Sequence, residues 1–366
     1  MRMARRKPRF HAALCVILSV ILFFVGSGVG VYLYLDGHKP QSDTIVASGD
    51  VSIHFLELGN AYTGDCTYIK AGDVDILIDA GSRTSSVDTI AAYLNRYVED
   101  GVLEYVIVTH AHQDHYAGFA TNESTESLLD QYRVGTLIDF AMTNQEEKGM
   151  YANYLRERSE AVARGTMHYT AQECIDSENT VFDLGFGITM TILDSYYYDH
   201  KSTNGENDYS VCMLLSQGDH HFLFTGDLEE DGEGHLVEMN DLPQVDVYKA
   251  GHHGSKTSSS TRLMAVIQPK IVCVCCCCGS AEYTEKDENQ FPTQAFIDRV
   301  APYTKRVYVT TICVDWDKKA FASMNGNITV TSSGGTVTVH GSANDTLLLD
   351  TEWFRQHRKC PLDWAA

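Results

Sequence analysis

The chain has 366 residues, 44% hydrophobic and 21% charged, with 49 acidic against 28 basic side chains and a formal charge of −21. That length allows one large domain or two modest ones, and nothing in the composition points to disorder. Arg2, Arg5, Arg6, Lys7 and Arg9 contribute +5 at the N-terminus, so −21 less +5 leaves −26 on the rest, which excludes a general polyanion-binding surface and leaves any phosphate to be held locally by metal or a few cations.

Taken in chain order, residues 1–9 form a basic segment. Residues 10–35, "FHAALCVILSVILFFVGSGVGVYLYL", carry no charged side chain and are long enough to cross a bilayer as one helix. The basic flank predicts that this end stays cytoplasmic and that the rest is exported, which places the protein at the cell membrane as a single-pass signal anchor. A cleaved signal peptide and a secreted product is the alternative; the apolar stretch exceeds a usual signal core, and no small-residue cleavage site follows it directly. Residues 36–50, polar with Pro40 and Gly49, read as a linker to a body spanning 51–354, with 355–366 as a tail.

Within the body, "VSIHFLEL" and "VDILIDAG" read as strands separated by "GNAYTGDCTYIKAGD". "SSVDTIAAYLNRYVED" reads as an amphipathic helix capped by Ser86 or Asp88, and "LEYVIVTH" as a buried strand. The stretch 124–174 is mainly helical in pattern between two short strand candidates. After "VFDLGFGITMTILDS", the segment "VCMLLSQGDHHFLFTGD" predicts a hairpin through Gly218. A helix near 228–239, the strand "VDVYKAG", a helix start at "HHGSKTSSS" and a two-stranded finish in "NGNITVTSSGGTVTVHG" follow. Strands outnumber helices in both halves, which suits two mixed sheets packed face to face with helices outside. Five of the eleven cysteines crowd into "VCVCCCCG". Neighbouring side chains on a strand point to opposite faces and cannot converge on one ion, so this run reads as a buried strand using Cys as a small apolar residue.

The chemistry gathers at strand ends. "VIVTHAHQDH" delivers His110, His112, Asp114 and His115 into one loop. The first two sit two apart and can reach one side, and Asp114 and His115 then turn toward a neighbouring position, as a pair of divalent ions requires. Asp227 in "FLFTGD", His252 and His253 in "GHHGS", and Asp79 in "ILIDAG" end three further apolar runs. Four strand ends bearing ligand-type side chains make a candidate metal site.

"LIDAG", "THAHQDH", "LFTGD" and "KAGHHGSKTSSS", in that order, resemble the metallo-β-lactamase fold superfamily, and specifically the metallo-hydrolase domain of the ComEC competence proteins and its stand-alone relatives. The resemblance implies an αββα sandwich of two mixed sheets with the metal site along one edge. It implies that His110 and His112 bind a first ion and Asp114 and His115 a second. Asp227 would bridge them, one of His252 and His253 would complete the second site, and Asp79 would orient the histidine loop. Two departures stand out. The superfamily's further histidine corresponds to "ENDYS", where Asn207 or Asp208 would approach, and the late Tyr-Gly-His-Pro of ComEC-like domains is "NQFP" here. With one candidate span in this sequence, a multi-span uptake channel is not expected.

The resulting expectation is a metal-dependent hydrolase with two divalent ions, zinc first and manganese or iron as alternatives, and with Asp114 also orienting the nucleophile. The expected substrate is a nucleic-acid, cell-wall or lipid phosphodiester. Ser255, Lys256 and Ser258 are candidates to hold its phosphate, against a plain helix-capping role. The rival readings are β-lactam or thioester hydrolysis and a metal-binding surface module without catalysis.

Overall fold

A computed structural model describes residues 49–120 and 125–365. The basic segment, the apolar stretch 10–35 and nearly all of the linker lie outside these residues; among the described ones no helix is long and apolar enough to cross a membrane.

The alternating runs of the first half become strands β1 (Val51–Phe55), β2 (Thr67–Ala71), β3 (Val74–Ile78), β4 (Val102–Val108), β5 (Arg133–Asp139) and β6 (Met167–Thr170). The second half supplies β7 (Val181–Gly185), β8 (Ile188–Ile192), β9 (Met213–Gln217), β10 (His220–Phe224), β11 (Val247–Lys249), β12 (Ile271–Cys278), β13 (Val307–Asp315) and β14 (Ala320–Ser323). A closing hairpin, β15 (Ile328–Ser333) and β16 (Thr336–Gly341), returns to pair with β1. Two eight-stranded sheets result, ordered β16-β15-β1-β2-β3-β4-β5-β6 and β14-β13-β12-β11-β10-β9-β8-β7. Both are mixed: pairing turns from antiparallel to parallel at β3–β4 in one and at β10–β11 in the other.

The sheets pack face to face. Ile53, Phe55, Ile76 and Val106 share one buried cluster with Phe222, Phe224, Cys273 and Cys275, and the Phe55 and Phe224 rings lie 6.3 Å apart. A second cluster joins the outer face of the second sheet, Leu223, Val274, Cys276 and Cys278, to the helices Thr261–Ile267 and Gln294–Val300 through Leu263, Met264, Phe296 and Ile297. Strand β12 is buried throughout and serves both cores alternately. Its cysteines are free thiols, as the reading of small apolar residues requires.

Two local expectations change. The segment read as a connector contains β2, whose Gly-Asp-Cys approach disguises a strand. The first helix is shorter, Val87–Leu94, and Ser86 does not cap it; its hydroxyl accepts from Asn60 Nδ2 at 2.8 Å instead. "HHGSKTSSS" leads into a helix as expected, Thr261–Ile267 being capped by its last residue, Ser260, while its first two residues, His252 and His253, take left-handed backbone (φ 45° and 56°).

Candidate metal centre

Five strand ends meet at one edge of the sandwich. Asp79 follows β3. Thr109, His110 and His112 follow β4, and the single turn Gln113–Tyr116 carries Asp114 and His115. Asp227 follows β10; His252 and His253 follow β11. Asp65 leads into β2. Backbone hydrogen bonds clamp the histidine loop, from Ala80 N to His115 O at 2.7 Å and from Asp65 N to Asp114 O at 3.1 Å. Gly81 lies so close to the Asp114 carbonyl that any Cβ there would overlap it.

Two imidazoles are anchored by Nδ1 with Nε2 aimed inward. His115 Nδ1 lies 2.8 Å from Asp79 Oδ2, and Asp79 is itself fixed by Thr109 N and Oγ1, each at 2.8 Å. His253 Nδ1 donates to the Cys275 carbonyl at 2.9 Å. Their Nε2 atoms then face Asp227 Oδ2 at 3.2 and 3.4 Å, and His253 Nε2 is 3.5 Å from Asp114 Oδ2. His115 Nε2, His253 Nε2 and Asp227 Oδ1 are buried with no aligned hydrogen bond. Such atoms are costly to bury unless something else satisfies them. The groups His110, His115, Asp227 and Asp114, His115, His253 each bring ligand atoms within 4.8 Å of one another. An imidazole whose far nitrogen is tied to a carboxylate or carbonyl is the usual arrangement of a metal-binding histidine, so the donor set fits divalent ions.

Electrostatics agree. Burial, with His115 and His112 alongside, holds His110 well below the usual imidazole range, so it is a neutral donor. Burial also disfavours charge on His115, but Asp227 and Asp79 outweigh it and raise its pKa well above the ordinary value. His253 is raised to about 10 in the same way, burial being overcome by Asp227 and Asp65. Asp227 is held well below the carboxylate range, its burial outweighed by His115 and His253. Without an ion, then, two protons occupy the positions that a metal would take, and binding must release them.

The remaining residues predicted from the sequence divide. His112 stands beside His110, Nδ1 to Nε2 at 3.0 Å, outside the tighter groups. Of the histidine pair, His253 is the inner one; His252 is peripheral, 4.0 Å from Asp227, with Nδ1 turned to Thr257 Oγ1 and Glu229. Asn207 approaches through His252, Nδ2 to Nδ1 at 3.4 Å, whereas Asp208 is bound to Ser202 and joins no donor group. Ser258 is a correction: it is fully buried, its hydroxyl donates to the Gly251 carbonyl at 2.6 Å, and so it braces the histidine loop and is closed to substrate. Ser255 shares a hydrogen bond with Thr257, and Lys256 is exposed and reaches Asn289.

The sequence reading missed three residues. Asp65 and Lys249 form a buried ion pair against the donors, and half-exposed Tyr283 donates to Asp114 Oδ2 at 2.5 Å. An acid at a strand start and a lysine inside an apolar strand were available signals for the first two; nothing marks Tyr283.

Residues 59–121 match the family model of the metallo-beta-lactamase superfamily. The chain is similar to Recombination protein 2 of Haemophilus influenzae, 28% identical over 68% of this chain and 26% of that one. It is similar to ComE operon protein 3 of Bacillus subtilis, 26% identical over 47% of this chain and 20% of that one. Exodeoxyribonuclease WalJ of Streptococcus pneumoniae is 21% identical over 56% of this chain and 68% of that one. The matched region spans about a quarter of the first relative and a fifth of the second. With its two mixed sheets and a candidate metal site at the strand ends, the chain has a metallo-β-lactamase-like fold and is similar to the ComEC-type competence proteins.

Proposed function

We propose that the body is a metal-dependent hydrolase that cleaves phosphodiesters at a two-ion site. The observation that carries this reading is the convergence of two anchored imidazoles, His115 and His253, on the single carboxylate Asp227. His110 and His112 with Asp227 would hold one ion, and Asp114, His115 and His253 the other, with Asp227 shared. Zinc suits this set first; manganese or iron also accept imidazole with carboxylate. When bound, such a pair of ions lowers the pKa of water and stabilises charge on the attacked group.

The chain's own groups orient the reaction. Asp114 is the carboxylate nearest solvent, with 15% of its side chain exposed, and one of its oxygens is fixed by Tyr283. It would orient a nucleophile, and it stays ionised because its burial is outweighed by His253 and His115, which hold its carboxyl well below the usual range. Phe291, its ring 5.7 Å from that of His253, and Tyr283 supply an aromatic wall. Ser255 and Lys256 follow His253 on the same loop and are candidates to hold a phosphate.

A phosphodiester is favoured over a β-lactam or thioester because a two-ion site suits in-line displacement at phosphorus and because one relative is named an exodeoxyribonuclease. Nucleic acid, cell-wall and lipid phosphodiesters all fall within the class, and the acidic body favours short or single-stranded polymers over long duplexes. Residues 10–35 would anchor the body to the cell membrane, with the site on the exported side. The test is metal content by mass spectrometry together with turnover of bis-p-nitrophenyl phosphate and of nitrocefin in one preparation. Two ions per chain with chelator-sensitive phosphodiester cleavage supports the reading. Preferential nitrocefin turnover would move the activity to the β-lactam class, and a metal-loaded protein inert to both would leave a binding module.

A further inference from the structure

Asp65 and Lys249 are nearly fully buried, and the ammonium touches the carboxylate at the floor of the donor cluster. Neither group is needed by the reading above. Asp65 Oδ1 is 3.2 Å from His253 Nδ1 and Oδ2 is 3.8 Å from His115 Nδ1, whereas Asp227 faces the Nε2 atoms of the same two rings at 3.4 and 3.2 Å. The two carboxylates therefore stand on opposite sides of both imidazoles. By composition alone Asp65 would pass for a metal ligand, since it groups within 4.8 Å with Asp227 and His253. Its charge, however, is already matched by Lys249, and an ion bound to it would have to sit beside a buried ammonium. Two like charges at such a distance in a low-dielectric site repel strongly.

We propose that Asp65 and Lys249 form a positioning pair behind the metal donors, holding His115 and His253 with Nε2 forward while Lys249 keeps Asp65 from binding metal itself. The inference rests on the two-ion reading of the site. Asp65 acts on both rings from the Nδ1 side, alongside Asp79 for His115 and the Cys275 carbonyl for His253. Lys249 acts only through Asp65. Removing the lysine alone strands a buried carboxylate among metal donors; removing both charges does not.

The test uses the full chain and zinc, with affinity from competition against a chromophoric chelator, metal per chain from mass spectrometry, and imidazole tautomers from nitrogen-15 shifts of the zinc-loaded protein. Asp65→Asn is expected to weaken zinc binding roughly 10–100-fold at unchanged stoichiometry, and to alter the Nδ1 signals of His115 and His253. Lys249→Met is expected to change affinity in the wild-type background but to add little in the Asp65→Asn background, because its effect passes through Asp65. The double variant also covers the case in which Lys249→Met alone fails to fold. Loss of one zinc per chain in Asp65→Asn would make Asp65 a ligand and overturn the proposal, as would unchanged affinity or a full Lys249→Met effect without Asp65. A wild-type protein that binds no zinc would sink the two-ion reading itself; zinc bound normally by wild type and variants alike would sink only the pair.

Discussion

Replacing Asp79 by Asn tests whether the histidine loop is held for metal or only for folding. Asp79 accepts three hydrogen bonds at 2.8 Å: Thr109 N on one oxygen, and Thr109 Oγ1 and His115 Nδ1 on the other. An amide has a single oxygen, so one side must present N–H. If that side meets Thr109 N, two donors face each other in a buried site, at a cost of about 1–3 kcal/mol. If it meets His115, the ring must accept at Nδ1 and carry its proton on Nε2, where the ion would bind. Loss of such an anchor lowers metal affinity about 10–100-fold, or about 1.4–2.7 kcal/mol. With free zinc well above the dissociation constant, this loss appears as lost stabilisation of the loaded protein only. Urea unfolding of both proteins, in chelator and in zinc buffer, should therefore show Asp79→Asn costing about 1.4–2.7 kcal/mol more with zinc than without. An equal cost in both conditions would mean that Asp79 merely supports the fold, and no cost in either would refute the anchoring geometry.

Other outcomes follow from the same structure. In chelator, stability should fall between about pH 6.5, the ordinary imidazole value, and about 10, where His253 titrates in the fold: a raised imidazole pKa stabilises fully below the former and loses its effect through the latter. Zinc affinity should rise over the same interval as protons cease to compete; stability that rises, or zinc affinity that falls, across this interval would refute the assignment. Tyr283→Phe should leave folding and metal content intact, because the ring is half exposed, while lowering bis-p-nitrophenyl phosphate turnover about 10–100-fold, as the loss of a hydrogen bond to a charged group implies; an unchanged rate would remove Tyr283 from the site. Thiol titration of the native protein should find Cys360 and, more slowly, Cys313 reactive, whereas the β12 thiols, whose pKa values burial pushes up, stay silent until unfolding. Fast labelling of β12 would contradict its place between two cores. Gly81→Ala should displace the histidine loop and abolish zinc binding, since the new methyl overlaps the Asp114 carbonyl; calorimetry showing normal zinc binding would refute that packing.

The two sheets and most of the cluster were legible because hydrophobic period and strand-end chemistry are local. "THAHQDH" and "LFTGD" each combine an apolar strand with a ligand-bearing loop, and a strand end is a place the sequence can mark. Lys249 and Asp65 carry only weaker marks, a lysine inside an apolar strand and an acid at a strand start. Each looks ordinary alone, and their meaning comes from a pairing between strands of different sheets. The choice between His252 and His253 had the same character: it depends on two successive left-handed residues and on the Cys275 carbonyl, a contact that no spacing encodes. Ser258 was misjudged because a hydroxyl near a helix start serves equally well as a cap, a ligand or a brace, and only its burial against Gly251 decides.

The cluster draws on both halves of the body's sequence: Asp65, Asp79 and the β4 loop come from the first sheet, Asp227 and the β11 loop from the second. Neither half holds more than part of the donor set, so the centre cannot exist before the halves meet. An ion is then the last part to arrive, and it arrives from whatever pool surrounds the chain at that moment. Since intrinsic affinities rank the transition metals much the same way at most such sites, the metal that such a centre would hold depends on the compartment in which the two sheets first close as well as on these side chains.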